Sequence, residues 1–126
     1  MLNLETWAAE AAARMVVSGN AENLITKALL VLAEQGVFAF GLFLATRKRD
    51  QDMTVADDIH QAMQRLLEKA GLNPNPDPSA GKPAYYKALT NARLGEEPLH
   101  NLQRLLLTKQ VMELALTYGR YHARAA

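Results

Sequence analysis

One stretch limits what this chain can become. Residues 24–46 read LITKALLVLAEQGVFAFGLFLAT, and within them Val37 to Ala45 carries no charge and no hydrogen-bonding side chain. On a helix, apolar groups of such a segment point all round the axis, which is the pattern of a fully buried helix. Other segments are amphipathic and can cover it, whereas this one can only be covered. A charge at Phe40 or Phe43 is therefore expected to prevent folding, because an unpaired charge in an apolar core costs several kcal/mol.

A membrane span needs about 20 largely apolar residues. Lys27, Glu34 and Gln35 interrupt the run, and only about ten uninterrupted apolar residues follow, so a core helix is the better reading. Gly36 divides the stretch. After Glu34-Gln35 it suits a left-handed C-terminal cap, with a second helix from about Val37 and a tight bend between the two. A continuous helix through Gly36 would lose about 1 kcal/mol relative to alanine there.

At 126 residues with 49% apolar composition, the chain is expected to form one domain, 1–126, with a core of its own. It has no cysteine, so disulfides and thiolate metal sites are excluded and an intracellular, cytoplasmic location is expected. Glu5 and Glu10 sit where a signal peptide would be apolar. Fourteen basic and 13 acidic residues leave a net charge of +1. Any nucleic-acid binding must then come from local patches rather than a global field.

Helical spacing of Leu4, Trp7, Ala8, Ala11 and Met15 predicts a first helix over 3–18, capped by Asn3 and stopped at Ser18-Gly19-Asn20. The central stretch supplies helices near 21–35 and 37–48. Thr54-Val-Ala-Asp57 resembles a capping box opening a fourth helix that Gly71 ends. Its stripe is Val55, Ile59, Met63, Leu66 and Leu67. Residues 72–83 hold four of the five prolines and are expected to be a surface loop. A short helix near 84–94 follows, and a last helix from Pro98 to about Arg124, roughly 27 residues or about 40 Å long. Leu99, Leu102, Leu105, Leu106, Leu107, Val111, Met112, Leu114 and Leu116 cover most of its circumference, so neighbours within the chain or a second molecule must wrap it. No alternating strand pattern occurs. The fold class expected is all-α, a compact bundle of five to six helices.

No catalytic constellation is visible. His60, His100 and His122 lack a second ligand at helical spacing. Asp57 and Asp58 are neighbours that diverge by about 100° on a helix. Nucleotide-loop, nucleophile-elbow and zinc-protease motifs are missing, and Ser18 and Ser79 both fall in expected turns. No enzyme activity, metal or cofactor is expected.

The basic residues are more informative. Lys109, Arg120 and Arg124 fall within about 60° of one another on the last helix, with Tyr118, Tyr121 and His122 alongside. A second group, Arg47-Lys48-Arg49, ends the third helix. Each element has an account in helix stability, since cations suit a helix C-terminus and Lys109–Glu113 is an i,i+4 pair. On sequence alone that account is preferred. The alternative is a phosphate-tracking stripe with nearby aromatics.

Two segments together resemble a known family. One runs Lys27-Ala-Leu-Leu-Val-Leu-Ala-Glu-Gln-Gly36-Val-Phe-Ala-Phe-Gly-Leu-Phe-Leu-Ala45, and the other Thr108-Lys-Gln-Val-Met-Glu-Leu-Ala-Leu-Thr-Tyr-Gly-Arg-Tyr-His-Ala-Arg124. A helix, a glycine turn, an apolar aromatic-rich helix and a closing helix ending in Tyr-x-x-Tyr-His resemble the small helical subunit of type III CRISPR–Cas effector complexes, in the Cmr branch. About a third of the chain carries the likeness, and 50–97 adds nothing to it. The resemblance implies a non-catalytic bundle whose partners are other CRISPR effector subunits, copies of itself and guide–target RNA. It makes Arg47, Lys48, Arg49, Lys109, Arg120 and Arg124 the candidate phosphate contacts. The competing expectation is a helical protein–protein adaptor unrelated to nucleic acid.

Overall fold

The structure is a computed structural model describing residues 3–16, 21–48, 50–74, 81–91 and 97–125. Among them are six α-helices and no strand: α1 Leu4–Met15, α2 Ala21–Gln35, α3 Val37–Ala45, α4 Asp50–Lys69, α5 Gly81–Thr90 and α6 Pro98–Ala125. No described helix is long and apolar enough to cross a membrane. The chain is an all-α bundle, as its periodicity predicts.

α6 is the spine. α1 and α2 pack along it, α4 packs on α1, and α3 bridges α2 to α5. Two contacts fix the direction of α6 relative to α2. The Arg124 Nε donates to Glu22 at the start of α2, and Lys109 reaches the Ala33 carbonyl near its end, so the two helices run antiparallel. α1 and α4 are also antiparallel, joined at one end by a 2.7 Å Lys69–Glu10 ion pair. That ammonium holds the Glu10 carboxyl below its usual range.

Local signals explain the helix ends. The Asn3 side chain accepts from the Thr6 N–H, as an N-cap does. Gly71, at φ +72°, closes α4. The Leu72 N–H reaches back to the Leu67 carbonyl at 2.8 Å, the six-to-one bond of a Schellman turn. Leu72 is thereby buried with the core. All five stripe residues of α4, from Val55 to Leu67, are buried.

Several expectations need correction. Gly36 is at φ +100°, ψ −176°, an extended mirror-image conformation open essentially to glycine alone, rather than the left-handed helical cap. It still separates α2 from α3 by one residue. α1 stops at Met15, three residues short of the expected end. α3 ends at Ala45, where the Thr46 N–H and hydroxyl turn back onto the Phe43 carbonyl. α4 begins at Asp50, not Thr54, and Thr54 lies inside the helix with its hydroxyl donating to the Asp50 carbonyl. Asp50 and Asp52 occupy the first turn, where the helix dipole favours them. α5 begins at Gly81, not 84, and ends at Thr90. Pro83 fits its first turn because that N–H has no helical partner to lose. Residues 75–80 of the expected loop lie outside the described set, as do Gly95 and Ser18-Gly19-Asn20.

The largest correction concerns α3. Val37, Phe40, Gly41 and Leu44 face inward, but Phe38 and Leu42 are 38% and 42% exposed. Cover comes from α5 and α2, with a smaller part from α4, and it leaves Phe38 and Leu42 open. α6 behaves in the same way. Val111, Met112, Ala115 and Leu116 are buried, whereas Leu99, Leu102 and Leu106 keep more than half of their surface open.

Candidate functional site

The five described candidate cations do not converge on one surface group. Three belong to α6 and two described ones follow α3, while Arg49 lies outside the described residues. Each described cation has its own local setting.

Arg47 folds back over the helix that precedes it. Its Nε donates to the Phe43 carbonyl at 3.1 Å, a terminal nitrogen donates to the Thr46 hydroxyl at 3.0 Å, and the guanidinium lies 4.2 Å from the centroid of the Phe43 ring. This gives the Phe43 carbonyl at the end of α3 a further donor and covers an otherwise half-open ring, through a cation–π contact. Lys48 is exposed.

Lys109 bridges two helices. Its ammonium donates to the Ala33 carbonyl at 3.2 Å and lies 3.9 Å from Glu113. The first contact uses one of the last four carbonyls of α2, which have no helical partner of their own. Arg124 pairs with Glu22 at 2.6 Å, tying the end of α6 to the start of α2. Both contacts are exposed enough to exchange with water or a ligand. Arg120 is half-buried, and its Nε is buried with no hydrogen-bond partner among the described residues. Around the same end of α6, Tyr118, Tyr121 and His122 line a shallow groove with Glu5, Thr6 and Ala9 of α1.

A second polar cluster was not legible as a unit in the sequence. Tyr86 of α5 is fully buried, with its ring edge-on to Phe40 at 5.1 Å and its hydroxyl 2.9 Å from His60 Nδ1. Tyr85 meets Tyr86 at 5.1 Å and His60 at 5.4 Å, both edge-on. Burial, with Lys82 nearby, pushes the His60 imidazole down to about 4, so it is neutral at pH 7. Burial also raises the Tyr86 hydroxyl far above its usual range. The hydroxyl of Tyr85 is buried without a partner among the described residues. This cluster joins α5 to α3 and α4. At neutral pH the His60 ring and both tyrosine hydroxyls are uncharged, and the Lys82–Asp57 ion pair lies close enough to act on the imidazole. Among the described residues no group of three or more His, Asp or Glu side chains is placed to hold a metal ion.

Comparison with protein-family models, curated proteins and solved structures gives no match to this chain.

Proposed function

We propose that the chain is a non-catalytic helical subunit of a larger ribonucleoprotein, of the kind its sequence resembles: a small subunit of a type III CRISPR effector complex. The observation that carries this reading is the pair of apolar faces the bundle leaves open. Leu99, Leu102 and Leu106 form one stripe at i, i+3, i+7 spacing, and Phe38 and Leu42 form another at i, i+4. Exposed stripes of that length are a cost to an isolated protein and a use to one held between neighbours. Lys48 and Arg120, with Lys109 and Arg124 where their internal partners release them, are the groups left to touch RNA phosphates. Arg47 is engaged at the end of α3 and is a poorer candidate than its position in the basic triplet implies.

A second reading, a protein–protein adaptor that touches no nucleic acid, is favoured by the internal pairing of Lys109 and Arg124. Purification of the chain from its host, with identification of bound RNA and proteins, separates the two. Recovery of RNA together with other effector subunits supports the first, and protein partners without RNA support the second. In a salt titration of RNA binding, each phosphate contact removed by an Arg120→Ala or Lys48→Ala change should flatten the log–log slope by about 0.7 for a single strand. The loss should be alike for all sequences, since phosphate contacts carry no base information.

A further inference from the structure

A groove of about 420 Å³ lies away from the α6 cations, between α1 and α4. Ala11, Ala62 and Leu66, all buried, line it as an apolar floor. Trp7, half-buried, lines it as well.

The two ends of the groove differ in charge. Arg14 and Arg65 line one end, and both also line a smaller adjoining hollow with Asp58, Gln61 and Ala62. Arg14 also acts on Glu10, one turn away on α1, and helps to hold that carboxyl ionised. Glu10 and Glu68 line the groove as well, with Glu10 held by Lys69. The antiparallel packing puts Glu10 and Lys69 one helical turn or more along from Arg14 and Arg65. Trp7 lies about one turn beyond Glu10 and about 10 Å along α1 from Arg14, so the aromatic face and the arginines stand at opposite ends of the groove.

We propose that this groove binds a small planar anion of the nucleoside monophosphate class. The flat ring would lie against Trp7, with the rest of the molecule running over Ala11 and Leu66 towards the arginines. The phosphate would take charge-assisted hydrogen bonds from Arg14 and Arg65, whose forked donors suit a phosphate. Glu10 and Glu68 accept from ring amino or sugar hydroxyl groups, and they disfavour a second phosphate, which separates this ligand from a polyanionic strand. The volume is in the range of sites for ligands of that size. The inference does not rest on the RNA reading above and involves none of the same cations.

Trp7 is the only tryptophan of the chain, so its fluorescence reports this groove alone. The probe is adenosine 5′-monophosphate, titrated into the full chain. Saturable quenching is expected, with adenosine and inorganic phosphate each binding at least about tenfold more weakly than the combined molecule. Arg14→Gln and Arg65→Gln should each weaken binding by about tenfold, the usual scale for losing a charged hydrogen bond. Lys27→Gln, an exposed cation of α2 outside the groove, should leave the titration unchanged. Circular dichroism of the variants checks that the bundle is intact. The proposal is overturned by the absence of saturable quenching, by equal binding of adenosine, or by arginine variants that bind like wild type. Tighter binding of an oligoribonucleotide than of the monophosphate, lost in the same variants, would also overturn it in favour of a strand-binding groove.

Discussion

Gly41 offers the sharpest test of this packing because two simple arguments give opposite signs. It sits in the middle of α3, where replacing glycine by alanine ordinarily stabilises a helix by about 1 kcal/mol. In the bundle, however, a Cβ at this position would lie 2.7 Å from both Cβ and Cδ2 of Tyr86 and 2.9 Å from its Cγ. Carbon atoms in contact prefer about 3.5–4.0 Å, so α5 would have to retreat by about 1 Å. Tyr86 cannot swing aside, since the clash is with its Cβ and ring root. The ring is also held by Phe40 at 5.1 Å and by the His60 hydrogen bond at 2.9 Å. Overpacking of this kind costs about 1–3 kcal/mol, occasionally more. With the propensity gain subtracted, Gly41→Ala should destabilise the fold by about 0–2 kcal/mol, moving the thermal midpoint down by up to several degrees for a domain of this size. Urea denaturation followed by circular dichroism measures the difference. Gly119→Ala is the matched control. There the nearest atom is the flexible Met15 sulfur at 3.3 Å, and the change should be small. A Gly41→Ala variant stabilised by the full helix gain of about 1 kcal/mol would refute the close approach of α5 to α3.

Four further outcomes are expected. Phe40→Asp should abolish cooperative unfolding, because Phe40 is fully buried and an unpaired carboxylate there costs several kcal/mol; Phe43→Asp should fold, since that position is half-open and beside the Arg47 guanidinium, and equal melting curves would contradict the one-sided burial of α3. Gly36→Ala should lose about 1–3 kcal/mol from backbone strain at φ +100°, even though nothing stands within 4 Å of the new methyl, measurable in the same urea experiment. Stability should fall as the pH drops from about 6.5 to about 4, because His60 takes up its proton in the unfolded chain before it does so in the folded one; His60→Gln should flatten that part of the pH–stability curve, and an unchanged curve would remove His60 from the account. Leu102→Asp with Leu106→Asp should leave the isolated fold within about 0.5 kcal/mol, as surface changes usually do, while reducing recovery of partner proteins in a pull-down; full recovery would argue that the α6 stripe is not an assembly face.

The sequence carried most of the helix layout because capping and periodicity act locally. Asn3, Gly71 and Pro98 mark helix ends by backbone chemistry that needs no tertiary partner. Thr54 misleads for a related reason. Threonine's hydroxyl can bond either forward, as a cap, or back to a carbonyl one turn earlier, and the two cannot be told apart without knowing where the helix began. Pro83 misleads because a proline excluded from a helix interior is welcome in the first turn. The candidate site was less legible. That Lys109 meets the end of α2, and Arg124 its start, depends on the antiparallel docking of α2 along α6, which no local spacing encodes. The groove beside Trp7 has the same origin, since Arg14 and Arg65 are 51 positions apart in the chain and line one groove only through the packing of α1 on α4.

The apolar segment that dominates the sequence is not the most enclosed part of the molecule, and the reason is geometric. A helix of nine residues presents few positions, and full enclosure requires neighbours on every side. Here α5 can approach α3 closely only because Gly41 has no side chain, and α2 turns into α3 through Gly36, which fixes the second side. The described helices leave a third side, bearing Phe38 and Leu42, open. Apolar character all round a helix therefore measures how much cover it can accept, not how much the same chain supplies. In α6 the division runs along the length instead of around the axis. The half beyond Thr108 is clasped by α1 and α2, and the half before it carries the leucine stripe into solvent. Both open faces keep Leu and Phe where solubility of a lone domain would favour Lys or Glu, and that composition follows if the remaining cover is contributed by another molecule.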